Sequence, residues 1–156
     1  MVEPTKNRDY YIGVVYAAID NELATTNLLT PHQKRFVSSA FYRQMRLESM
    51  SFDWDVIIGD TLGGDGEKYI PQVILEFHPD CPDDPEASIV WAAQYMLRNV
   101  LANMGYGIRE AYAKACVVYN AGSYTMFLAY INYSSMWILG IPNTTREYIK
   151  RVIYGG

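Results

Sequence analysis

Apolar positions recur at the 3.6-residue helical period along most of the chain and lose it over one stretch, residues 51–82. Over residues 9–24 the period puts Val14, Val15, Ala18, Ile19 and Leu23 on one face, which predicts a docked N-terminal helix. Thr30-Pro31-His32-Gln33 reads as the next helix start: Thr30 caps, Pro31 occupies the first turn where no amide partner is needed, and Gln33 reaches back. Phe36, Val37, Ala40, Phe41, Gln44, Met45 and Glu48 then follow along one side, so Glu48 ends the helix on or beside its buried face. A carboxyl group there is costly unless it is protonated, paired or functional.

Between 51 and 82, Gly59, Gly63, Gly64 and Gly66 alternate with acidic residues around the apolar run Val56-Ile57-Ile58. This pattern predicts a strand-like segment and a turn-rich loop, with a small hairpin as the alternative. Asp84-Pro85-Glu86 starts a second strong helix, in which Ile89, Ala92, Ala93, Met96, Leu97, Val100, Leu101 and Met104 keep the period; Gly105 and Gly107 end it. Residues 109–121 predict a small-residue helix through Ala111, Ala115, Val118 and Tyr119, with Gly122 placed for a left-handed cap. Residues 123–139 read as helical with irregularity near Ser134-Ser135, and Gly140-Ile141-Pro142 breaks the chain. Thr144-Thr145-Arg146-Glu147 reads as a capping box for a last helix carrying Tyr148, Ile149, Val152 and Ile153. The expected fold is a single, mostly α domain of six or so helices around one glycine-rich acidic loop.

With 156 residues, half of them apolar, the chain can bury one core without metal or disulfide staples. The first residues lack the apolar run of a secretion signal, and no stretch of about 18 apolar residues is present to span a membrane. The expectation is a chain soluble as made, carried by something else to any substrate beyond the cytoplasm. A formal charge of -4, with acidic residues crowded into 53–86, argues against a nucleic-acid partner. The 14 tyrosines read mainly as packing, with a few available as stacking platforms for sugar rings. Cys81 and Cys116 allow at most one bridge, and Cys116 sits in an apolar helical stretch that suits a buried thiol. His32 and His78 are far apart, lack metal-ligand spacing, and read as structural or surface residues.

Four segments occur in a telling order: Arg46-Leu47-Glu48-Ser49 followed by Phe52, Tyr69-Ile70-Pro71-Gln72-Val73-Ile74, Val118-Tyr119-Asn120-Ala121-Gly122, and Ile141-Pro142-Asn143-Thr144-Thr145-Arg146-Glu147-Tyr148-Ile149. Together they resemble the soluble lytic transglycosylase family of the lysozyme-like superfamily: its Glu-Ser motif, its Gly-Leu-Met-Gln segment, its Tyr-Asn-Ala-Gly signature and its closing helix. Tyr69 and Pro71 stand where that family usually has glycine and methionine. The likeness covers residues 30–153, which divides the chain into an N-terminal helix extension, 1–25, and a catalytic domain, 26–156. The resemblance implies a lysozyme-like α+β fold acting on peptidoglycan glycan strands of the cell wall. It implies no cofactor and no metal. The missing signal suggests a phage context, with virion or tail proteins as further partners.

The resemblance implies Glu48 as the catalytic residue. Ser49 would touch the sugar, Gln72 would contact substrate, and Tyr119 would hydrogen-bond near Glu48. Asn120 would hold an N-acetyl sugar, and Tyr148 would close the cleft floor beside Glu48. Cleaving a glycosidic bond needs a proton on the leaving oxygen, and a carboxylic acid supplies it at neutral pH only if its pKa is raised. A lysozyme adds a second carboxylate. The family instead uses one glutamate as acid and then base, closing a 1,6-anhydro ring on N-acetylmuramic acid. Two alternatives stand beside this reading: a lysozyme-type muramidase using one of Asp53, Asp55, Asp60 or Asp65, and an inactive structural or adaptor protein with the same fold. Asp60, Gly64, Asp65 and Glu67 lack the ligand spacing of an EF-hand, so a calcium loop of that type is rejected.

Overall fold

The computed structural model describes residues 6–155. The Asn7 side chain accepts the Tyr10 amide and opens α1, Arg8–Ala24. At Thr30 both halves of the expected capping box form, and Pro31 begins α2, Pro31–Glu48. The Asp84 carboxylate accepts two amides at the start of α4, Pro85–Ala102. These caps satisfy amides that have no partner inside their own helix.

The small-residue helix α5, Ile108–Ala121, lies at the centre and packs against α2, α4, α6 (Ser123–Tyr133) and α7 (Asn143–Tyr154). Its alanines at 111, 113 and 115 let neighbouring helices approach closely, and every residue from Ala111 to Val117 is buried. α1 packs on α4 and α2, and its Val15 and Ile19 join Phe41, Met45, Ile89, Met96 and Val100 in one core. The N-terminal helix therefore shares the core of the segment that follows it. The core polar group Gln44 is satisfied by the Tyr112 hydroxyl, which donates to its Oε1 at 2.7 Å.

Residues 53–84 depart from the expected pattern. Val56-Ile57-Ile58 is not strand-like: α3, Trp54–Ile57, is a single helical turn capped by Asp53, and it buries Val56 and Ile57. The expected hairpin reduces to one isolated antiparallel bridge between Lys68 and Val73. Among the described residues no strand forms, and the chain is mostly helical. The capping box expected at Thr144–Glu147 also fails. α7 begins at Asn143, with Pro142 at the cap position and no side-chain cap, so Thr144 lies inside the helix; the Thr145 hydroxyl donates to Asn120.

α6 runs into a 3-10 segment, Ser134–Gly140, that folds back on it. No charged residue occurs from Gly122 to Pro142, and the pair exposes Tyr124, Phe127, Ile131, Met136 and Leu139. Trp137 Nε1 donates to Glu110, and the buried Lys114 lies over the rings of Tyr106, Tyr130 and Trp137, so this arm is latched to α5. No helix of the described residues is long and apolar enough to cross a membrane.

Gly122 joins α5 to α6 with φ 92° and ψ 156°. This is not the left-handed cap expected from the sequence but a region open essentially to glycine alone. Gly122→Ala is expected to destabilise the fold by about 1–3 kcal/mol, read as a lower urea midpoint at unchanged m-value.

Candidate active site

Glu48 is the last residue of α2, and the chain turns sharply after it. Met50, Ser51 and Phe52 all take positive φ, at 53°, 61° and 60°. Non-glycine residues rarely do this, and three in succession must be held in place by their surroundings. Ser49 supplies part of the hold: its hydroxyl donates to the Met45 carbonyl at 2.7 Å and accepts the Phe52 amide at 3.0 Å. Phe52 is buried in the core. Arg8, at the start of α1, donates to the carbonyls of Phe52 (3.0 Å) and Ser51 (2.9 Å).

This turn leaves the Glu48 carboxyl where two cavities meet. The larger, about 740 Å³, lies between the 63–78 loop and the helices α4 and α5; it includes Glu67, Gln72 and Tyr119. The smaller, about 500 Å³, runs along α7 past Asn143, Thr144 and Arg151. Among the described residues only Glu48 and Asn120 line both. A linear polymer laid along both cavities would pass Glu48 in mid-course.

Burial pushes the Glu48 pKa up from 4.5 to about 7. The Tyr148 hydroxyl donates to Glu48 Oε1 at 2.6 Å and pulls it down, while the negative charge of Glu67 adds to the rise. The group is therefore substantially protonated at neutral pH, as a general acid needs to be. Burial also raises the Tyr148 and Tyr119 hydroxyls well above their usual value, with the Glu48 charge adding, so both stay neutral donors.

The structure brings Glu48, Gln72, Tyr119, Asn120 and Tyr148 to this junction and removes Ser49 from it. Ser49 is fully buried and lines neither cavity, and its hydroxyl is committed to the backbone of the turn. The expected sugar contact is thus corrected to a structural bond. Tyr119 donates to the Pro71 carbonyl rather than to Glu48, tying α5 to the loop. Gln72, at φ 53°, donates to the Tyr69 carbonyl at 2.9 Å and keeps its Oε1 close to Gly63. Asn120 Oδ1 accepts the Thr145 hydroxyl at 2.9 Å, leaving the amide nitrogen for a ligand.

Asp53, Asp55, Asp60 and Asp65 line neither cavity. The carboxylate that shares the larger cavity with Glu48 is Glu67, whose Oε2 accepts the Asp65 amide at 2.9 Å. Glu67 packs close against Gly63: a Cβ there would lie 2.1 Å from Glu67 Oε2, so a side chain at 63 would require the carboxylate to shift. His78 lines this cavity too, and its packing at 5.1 Å from Trp91 fits the structural role expected of it. Sequence reasoning missed both, since neither belongs to a motif. The nearest signal was the run of glycines facing an acidic loop. Cys81 and Cys116 are both free, buried thiols.

No protein-family model, no curated protein and no solved structure matches the chain.

Because the folded chain holds the Glu48 proton more tightly than the unfolded chain, this group makes stability fall as pH rises from about 4.5 to about 7. Glu48→Gln should remove that part of the pH dependence, read by urea unfolding at pH 5 and pH 8. In a carbon-detected NMR titration the Glu48 midpoint should move up in Tyr148→Phe and down in Glu67→Gln. Arg8→Ala, which frees two carbonyls of the turn, should cost about 1–3 kcal/mol and lower the Glu48 midpoint as water reaches the carboxyl. An unchanged midpoint would show that Arg8 does not govern the burial of Glu48.

Proposed function

We propose that the chain is a lytic transglycosylase that cleaves the β-1,4 bond between N-acetylmuramic acid and N-acetylglucosamine in peptidoglycan glycan strands, within a lysozyme-like fold. The observation that carries the reading is a buried carboxyl at the meeting point of two cavities, hydrogen-bonded to Tyr148 and with its pKa raised to about 7. The four sequence segments add to it, since they supply Glu48, Gln72, Tyr119, Asn120 and Tyr148 to one place.

Glu48 gives its proton to the bridging oxygen as the bond to the muramic C1 breaks and positive charge develops on that sugar. The resulting carboxylate then takes the proton of the same sugar's C6 hydroxyl, whose oxygen bonds to C1. A 1,6-anhydro ring forms, the proton returns to Glu48, and no water is consumed. The Tyr148 hydroxyl steadies the carboxylate between the two steps. Asn120 offers its amide to an N-acetyl carbonyl.

Hydrolysis is the second reading, and Glu67 is the observation that favours it. It is a second carboxylate in the same cavity, held by the Asp65 amide, and in this reading it would orient water against C1. The uncharged, exposed apolar face of α6 supports a place inside a larger assembly, and a virion or tail structure of a phage is the setting we propose.

Digested peptidoglycan analysed by mass spectrometry should contain anhydro-muropeptides, absent with Glu48→Gln. Reducing-end products alone, lost in Glu67→Gln, would replace the first reading by the second. Wall clearance no greater than that of Glu48→Gln would leave a protein without this activity. Activity should fall as pH rises through about 7, because the acid form of Glu48 is the one that reacts.

A further inference from the structure

Outside both cavities, one exposed carboxylate gathers the loop that lines the larger of them. Asp83 lines neither cavity. Its Oδ1 accepts the Tyr69 hydroxyl at 2.6 Å and the Lys68 ammonium at 3.0 Å, and the same ammonium lies 5.2 Å from the Tyr69 ring centre. The next residue, Asp84, caps α4 by accepting the amides of Glu86 and Ala87. Asp83 therefore ties the loop to the start of a long helix.

Tyr69 needs such a hold. Its φ is 64°, an angle that glycine takes freely and a tyrosine takes only where its surroundings fix it. The ring is buried against Gly59, where a Cβ would lie 2.7 Å from Tyr69 Cε1. With ring and hydroxyl both engaged, the Tyr69 carbonyl accepts two donors from Gln72, the backbone amide at 3.0 Å and the side-chain Nε2 at 2.9 Å.

The neighbouring bonds carry the hold to the cavity. Lys68 exchanges amide-to-carbonyl bonds with Val73 at 3.1 and 3.2 Å, and the Glu67 carbonyl accepts the Gly63 amide at 3.0 Å. Glu67, Gln72 and Val73 all line the larger cavity with Glu48. The two clamped residues, Lys68 and Tyr69, thus stand between Glu67 on one side and Gln72 and Val73 on the other. An exposed ion pair such as Lys68–Asp83 adds little to stability, so the effect of the clamp is to be sought in where the loop sits.

We propose that Asp83 and Tyr69 are positioning residues for the candidate active site: the bond between them fixes the 67–73 segment so that Glu67 and Gln72 keep their places in the cavity wall they share with Glu48. The proposal rests on the glycan-cleaving reading for its effect on cleavage, and deepens that reading by naming what holds one wall of the cleft.

The test uses the full-length protein with Asp83→Ala, Asp83→Asn and Tyr69→Phe. In a carbon-detected NMR titration the Glu48 midpoint should fall in Asp83→Ala and in Tyr69→Phe, since a released loop takes the Glu67 charge away from Glu48 and admits water. Asp83→Asn, whose amide oxygen still accepts the Tyr69 hydroxyl, should hold the midpoint closer to that of the wild type. In a Glu67→Gln background the fall caused by Asp83→Ala should shrink, because part of it travels through the Glu67 charge. Because Asp83 is exposed, the thermal unfolding midpoint of its variants should stay within a few degrees of the wild type's. The initial rate of peptidoglycan digestion should drop about tenfold in Asp83→Ala, with the product unchanged. A Glu48 midpoint unmoved by Asp83→Ala or by Tyr69→Phe, an Asp83→Asn midpoint as low as that of Asp83→Ala, or a fall of the same size with Glu67 replaced each overturns the clamp. The two failures are separable. Midpoints that move as expected in a protein yielding no anhydro-muropeptides remove the cleavage reading and leave the clamp; unmoved midpoints while anhydro-muropeptides still form remove the clamp and leave the cleavage reading.

Discussion

The arrangement around Glu48 depends on the turn that follows it. Three successive residues with positive φ cost on the order of 1–3 kcal/mol each, so residues 50–52 are held by what packs around them rather than by their own preferences. The Ser49 hydroxyl bridges the turn from within, Phe52 anchors it in the core, and Arg8 fastens its carbonyls from another helix. The effect is to stop α2 abruptly, so that the last side chain of the helix faces a cleft instead of continuing along the core.

That placement links stability and chemistry through one proton. A carboxyl group sheltered from water is easier to keep neutral than charged, so the burial that makes Glu48 an acid near pH 7 also weakens the fold once the proton leaves. Tyr148 and Glu67 act on this balance with opposite signs. The tyrosine favours the carboxylate by donating to it, and Glu67 opposes the carboxylate by its charge. The last helix and the acidic loop thus both bear on one group at the end of α2. α1 joins them through Arg8, which makes the N-terminal helix part of the site's support.

The helices were legible because their signals are local. Period, caps and breakers gave α1, α2, α4 and α5 nearly to the residue. The 51–82 stretch was not legible, because its shape comes from contacts made at a distance. Val56 and Ile57 are buried equally well by a strand or by one helical turn, and the Asp53 cap decides for the turn. The same limit applied to the site. Glu48 and Tyr148 could be found through motifs at helix ends, whose positions follow from the helices. Ser49 reads from its motif as a sugar contact, whereas its hydroxyl is taken up by the Met45 carbonyl and the Phe52 amide, a bond that depends on the turn after it. Glu67 could not be chosen over four aspartates, since which carboxylate lines the cavity is set by the path of an irregular loop.

The presence of Glu67 bears on how one constellation separates two chemistries. In the two proposed readings, ring closure and hydrolysis would share the first step, proton transfer from Glu48, and differ in which oxygen next reaches C1. With Glu67 held by the Asp65 amide, the deciding quantity in the proposed reactions would be the space left beside the sugar once the cleft is filled. If the muramic sugar's own C6 hydroxyl occupies that space, Glu67 acts only through its charge, holding the proton on Glu48 until the bond is ready to break. If a water fits there instead, the same carboxylate becomes its acceptor. In the proposed reading a single side chain would thus serve either outcome, and the fit of the substrate, rather than the set of acids, would select the product.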